Sequence, residues 1–167
     1  RLSTFGLAGS AMAVETPTTA DTAKASIVLK AAEGNTLTGH TFTFYRLGSY
    51  GDITANGDTD VRSLTVSKID DASDKWIAAA NGKAGITDLQ GFDAAGDLAH
   101  ATGDKNRQSP TDAKQTMLRE AAKQLADTVA KSGVEAAKTV GGSGSTLTVA
   151  GLDNGLYLVV DSNGSPM

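Results

Sequence analysis

The side chains able to do chemistry are few and widely spaced. His40 and His100 stand sixty residues apart, and neither has a carboxylate or hydroxyl placed around it in a recognisable triad pattern. Both therefore read as surface or strand-edge histidines. NGDTD, residues 56 to 60, could offer carboxylates to calcium. No downstream Glu completes a hand-like loop, so solvation of a loop is the simpler reading. GGSGST, residues 141 to 146, has the glycines of a phosphate loop. It lacks the lysine and precedes a strand where a helix N-terminus is needed, which makes it a linker. Trp76 is the single tryptophan. It is either a sugar-stacking platform or a core anchor, and an Ala-rich helical setting favours the anchor. No carboxylates pair at a spacing that suggests glycosidase work. The stretch NGLYLVVDS, residues 154 to 162, poses the remaining question, because apolar strand-formers suited to burial end in Asp161. At a surface that acid is a turn acceptor, whereas in a core it needs a partner.

These residues depend on elements that can be read from periodicity. SIVLK, residues 26 to 30, is β-branched and starts the ordered part. HTFTFYRL, residues 40 to 47, alternates Phe42 and Phe44 with Thr41, Thr43 and Tyr45, which puts the phenyl rings on one face of a strand. GDITANGDTD reads as a loop and SLTVSKI, residues 63 to 69, as another strand. The middle changes period. Ser73 is expected to cap a short helix that Gly82 ends, and DAAGDLAHA, residues 93 to 101, forms a second helical piece. A longer helix near 110–132 begins at Ser109 and Pro110 and carries an apolar stripe of Leu118, Ala121, Leu125 and Val129. After the GGSGS joint come STLTVA and GLYLVVDS, with Asp153-Asn154-Gly155 as the turn between them. Strands, helices, then strands predict a mainly β, α+β domain: a β-sandwich carrying a helical insertion.

Composition bounds the function. With 167 residues, a net charge of -4 and 40% hydrophobic content, one main domain is expected. The acidic balance, without any basic stripe, argues against nucleic acid. Cysteine is absent, which removes disulfides, thiolate catalysis and sulfur-bound metal. No apolar run approaches the roughly 20 residues of a membrane span. Residues 1–13 end in Ala11-Met12-Ala13, the small-residue pattern of a signal-peptide remnant, and residues 14–25 read as a flexible polar leader. Residues 26–167 then form the domain, which looks truncated at its C-terminal end. No cofactor, metal or enzymatic activity is expected.

SIVLKAAEGNTLTGHTFTFYRL and GLDNGLYLVVDS together resemble the opening and late strands of Cna-B-like, prealbumin-like domains. The whole of 26–166 is most similar to the N-terminal domains of sortase-assembled pilins from Gram-positive, particularly actinobacterial, bacteria. The likeness is strongest at the two ends and weak through 70–108. It implies an Ig-like or prealbumin-like sandwich on an extracellular, cell-wall-anchored fimbria. Its partners would be neighbouring pilin subunits and a class C sortase, acting through residues outside this segment. Some domains of that family form an intramolecular Lys-Asn isopeptide bond assisted by a buried acid. The resemblance places Lys30 at the lysine position and Asp161 at the acid position, with the Asn supplied by a still later strand. The alternative function is an adhesin module in which Trp76 and the helical insertion bind a host glycan or matrix protein.

Overall fold

The computed structural model describes residues 2–6, 11–16, 24–55, 61–86, 93–102 and 112–163. They form a mixed α+β structure with two antiparallel sheets and helices. The first sheet has the order β1 (Leu2–Gly6), β2 (Ala11–Thr16), β3 (Lys24–Ala31), β7 (Thr146–Asp153). The second is built around β4 (Thr41–Ala55), with β5 (Val61–Ser67), β6 (Lys138–Gly141) and β8 (Leu156–Asp161). At 15 residues, β4 is long enough to serve three partners. Its first half pairs with β6 and β8, and its second half pairs with β5. GDITA therefore continues a strand instead of opening a loop, and residues 56–60 lie outside the described residues.

Alternation explains the layering. Ile27 and Leu29 from β3, Val149 and Leu152 from β7, and Phe42, Phe44, Tyr157 and Val159 from the second sheet meet in one core between the sheets. The other face of the second sheet supplies Leu47, Tyr50, Leu156 and Leu158 to a separate core shared with the helices. β8 is thus covered on both faces, and this is why LYLVVD has no polar alternation. A strand with one face in water would have shown it.

The Asp153-Asn154-Gly155 turn differs from the expected hairpin. β7 pairs with β3, whereas β8 pairs with β4, so the turn carries the chain from one sheet to the other. Three contacts fix this corner. The Tyr157 hydroxyl donates to the Asp153 carbonyl at 2.5 Å. The Arg46 guanidinium donates to the Asn154 carbonyl, from Nε at 3.1 Å and also from Nη2. Lys24 bonds the Asp153 carboxylate. Position 155 admits only glycine, because a Cβ there would lie 2.0 Å from the Gly48 carbonyl oxygen.

The described helical part contains three helices. α1 (Asp71–Ala84) is capped by Asp70, whose extended backbone lets its carboxylate accept from the Ser73 N–H at 2.7 Å. Ser73 is thus the third residue inside the helix and is buried, and the cap lies one turn earlier than expected. Gly82 is passed through, and the stop is Gly85 in the left-handed conformation, whose N–H reaches the Asn81 and Gly82 carbonyls. α2 (Ala94–Thr102) starts where Asp93 accepts from the Gly96 N–H at 2.9 Å. α3 (Asp112–Ser132) carries the expected stripe, with Ala121 and Leu125 buried and Leu118 and Val129 packed against the same core. Ser109 and Pro110, the expected start, lie outside the described residues.

Three further strands, β1, β2 and β6, were not expected. β6 occupies KTVG, beside the Gly-rich joint, and pairs with Thr41 to Phe44. β2 runs across the boundary expected at residue 13 and pairs residue by residue with β3, from Ala11↔Ala31 to Thr16↔Ser26. Structure therefore begins before SIVLK. Of the expected leader, residues 17–23 lie outside the described residues.

Candidate functional site

The described residues bring together one pair of chemically capable side chains, His40 and Asp161. On β8, Tyr157, Val159 and Asp161 share the face turned to the first sheet, so Asp161 lies at the end of the inter-sheet core opposite Phe42. Its side chain is 2% exposed. On the other strand His40 stands two residues before Phe42 and stacks on it, with ring centroids 6.1 Å apart and planes 11° from parallel. That places the His40 Nδ1 at 2.7 and 2.9 Å from the two Asp161 oxygens. Asp161 Oδ1 also accepts from the Asn163 N–H at 3.0 Å.

The surrounding bonds hold the two chain segments together. The Thr41 N–H donates to the Ser162 hydroxyl and the Ser162 N–H to the Thr41 carbonyl, each at 2.9 Å. Asn163 Nδ2 donates to the Gly39 carbonyl at 3.1 Å. The Gly142 N–H donates to the His40 carbonyl at 2.8 Å, which ties in the joint after β6. A Cβ at residue 142 would sit 2.2 Å from the Leu37 carbonyl oxygen, so glycine allows that close approach.

With Nδ1 donating to a carboxylate, a neutral imidazole presents Nε2 as an acceptor, the orientation seen in acid-held general bases. A base needs a nucleophile. Among the described residues no hydroxyl hydrogen-bonds to His40, and Ser162 is occupied by the backbone of residue 41. No cluster of three or more metal-ligating side chains occurs among the described residues. The arrangement therefore acts as a polar clamp: it gives a buried carboxylate hydrogen-bond partners and locks the start of β4 to the end of β8.

The expected site residues fall elsewhere. Lys30 is exposed, on the face of β3 opposite Ile27 and Leu29, with Met12 and Thr146 as its lateral neighbours. It is not in an apolar pocket and is not brought to Asp161, whose partner is His40. The isopeptide geometry, which requires a buried neutral amine beside the acid, is not what Lys30 has here. The physical reason is strand parity: Lys30 is one residue out of phase with the core-facing positions. Trp76 is 5% exposed and lies in the helix-side core. Its Nε1 donates to the Leu125 carbonyl at 3.2 Å and the Thr128 hydroxyl at 3.0 Å, and Tyr45 meets its ring edge-on. The indole is thus an anchor between α1, α3 and β4, without an open ring face for a sugar. His100 falls in α2.

The His40–Asp161 pair was missed because 121 residues separate its members. A signal was nonetheless present. His40 continues the Phe42/Phe44 phase and Asp161 the Tyr157/Val159 phase, so each would share a face with the core. Comparisons with protein-family models, curated proteins and solved structures find no match.

Proposed function

We propose that the chain is the N-terminal domain of a sortase-assembled surface pilin, a structural domain in an Ig-like or prealbumin-like sandwich with an added helical layer. One observation carries the reading. The segments that resemble the pilin domains, SIVLK on β3, HTFTFYRL on β4 and GLYLVVDS on β8, converge on one inter-sheet core through Ile27, Leu29, Phe42, Phe44, Tyr157 and Val159. The Tyr157 bond to the Asp153 carbonyl supports it, since a tyrosine at a sheet-changing corner that bonds upstream backbone recurs in Ig-like sandwiches. In this reading the domain is extracellular and cell-wall-associated, its neighbours are other pilin subunits, and a class C sortase joins them through residues outside these 167. A host-binding role through Trp76 has less support, because the indole is only 5% exposed and its N–H is spent on Leu125 and Thr128.

The test is made on the native cell surface. An antibody to this domain should detect a detergent-resistant ladder of high-mass species in cell-wall extracts, collapsing to one band when the class C sortase gene is deleted. A single band in unmodified cells would overturn the proposal.

A further inference from the structure

Helices α1 and α3 pack together but leave between them an open groove of about 550 Å³. Its floor is apolar and shallow, formed by Ala72, Ala79, Ala80 and the edge of Trp76. On α1 these residues, with Lys75 and Lys83, recur at intervals of three and four, so the groove follows one helix face for roughly 16 Å. Gln124, Thr128 and Ser132 continue the opposite wall along α3. Their polar groups are committed internally. Thr128 Oγ1 accepts from Trp76 and donates to the Gln124 carbonyl, Ser132 Oγ bonds the backbone at 129 and 134, and Gln124 Nε2 donates to Glu120.

What the groove offers an incoming molecule is therefore an alanine floor and a cationic rim of Lys75, Lys83 and Lys131. All three lysines are exposed, and none is in an ion pair among the described residues. Lys83 and Lys131 also complement the C-terminal ends of their helices, but Lys75 lies early in α1, where a cation has no such role. Two acids of the first turn of α1 are engaged elsewhere: Asp71 feels the Lys75 charge but hydrogen-bonds Lys68, and Asp74 accepts from the Ala94 N–H. Among the described residues no acid lines the groove, although the chain as a whole carries a charge of -4.

We propose that the α1–α3 groove is a docking site for an acidic amphipathic helix of a partner protein. Small floor residues at helical spacing let a third helix approach closely and seat an aliphatic ridge. Glutamates or aspartates flanking that ridge would meet the three ammonium groups, so charge complementarity selects the partner. Nucleic acid is disfavoured by the apolar floor and the negative chain.

Trp76, the only tryptophan, borders the groove and serves as a reporter. The intact 167-residue chain is titrated with a synthetic peptide of about fourteen residues, with leucines at helical spacing flanked by glutamates. A control peptide has glutamines in place of the glutamates. A saturable change in Trp76 emission is expected, with the glutamate peptide binding at least about tenfold more tightly, as three partly exposed ion pairs would supply. The triple variant Lys75→Gln, Lys83→Gln, Lys131→Gln should lose that preference. Ala79→Arg, at an exposed position, should block both peptides while leaving the thermal midpoint within a few degrees. Equal affinity for the two peptides, a preference that survives the triple variant, or binding indifferent to Ala79→Arg would each overturn the proposal. So would tighter binding of a heparin oligosaccharide at the same site, or self-association abolished by Ala79→Arg, which would assign the groove to a glycan or to a second copy of the chain.

Discussion

A carboxylate as buried as Asp161 is costly unless every lone pair has a use, and His40 and the Asn163 N–H provide that use. Removing His40 leaves the acid buried, so His40→Ala should cost about 1–3 kcal/mol in denaturant unfolding. The double variant His40→Ala, Asp161→Asn should recover part of that loss, since the stranded charge goes with its partner. Simple additivity of the two changes would refute the clamp. Lys30→Ala should stay within about 0.5 kcal/mol of the parent, as befits an exposed strand residue. At this scale the sequence was legible in part. The chemistry-capable side chains were visible and Asp161 stood out, but which group meets it depends on a pairing across 121 residues that no local spacing encodes. Lys30 was placed by likeness to a motif, and strand parity decides its direction.

At the level of elements, periodicity served well where one face met a core. The β4 alternation of Phe42 and Phe44 and the α3 stripe both appear in the structure as read. It served poorly at ends, because capping competes among neighbours: Asp70, Asp71, Ser73 and Asp74 all suit an N-cap, and backbone geometry selected Asp70. The Asp153-Asn154-Gly155 turn has hairpin chemistry, yet the sheet change is set by which strands the flanking segments pair with. Two substitutions test this level. Trp76→Ala should cost about 3–5 kcal/mol, because it empties the junction of α1, α3 and β4. A near-neutral result would return Trp76 to the role of a surface platform. Tyr157→Phe should cost about 1 kcal/mol by removing the bond that closes the corner, read as a shift in urea midpoint at constant slope.

For the whole molecule, the second sheet lies between two cores and couples them. Phe44→Ala, on the inter-sheet side, and Ile77→Ala, on the helix side, should each lower one common thermal transition. Two separate transitions would show that the helical layer folds independently. Acid stability has a small, identifiable contribution at the corner. The hydrogen bond and charge of Lys24, aided by Arg46, hold the Asp153 carboxyl below its usual range against a slight opposing effect of burial. A folded-state pKa below the unfolded one means that this stabilisation is fully present above the ordinary carboxylate range and is lost as pH falls through the lowered value. Both partners are well exposed, at 62% and 59%, so the effect is limited to about 0.2–1 kcal/mol. Asp153→Asn should accordingly reduce stability near neutral pH and match the parent in strong acid; an unchanged difference at low pH would exclude the pair as the cause.

Burial on both faces has a further consequence for β8. In an ordinary amphipathic strand, sliding by one residue exposes the apolar set and is rejected on hydrophobic grounds. LYLVVD can slide without that penalty, because either face finds apolar neighbours. The polar contacts at its two ends supply the missing discrimination: Tyr157 must reach Asp153 at one end and Asp161 must reach His40 at the other. A single slip breaks both and leaves a buried carboxylate without its donor. The acid at the end of the apolar run is thus the alignment mark of the strand, and variants lacking it should show mixed pairing states before they show outright unfolding.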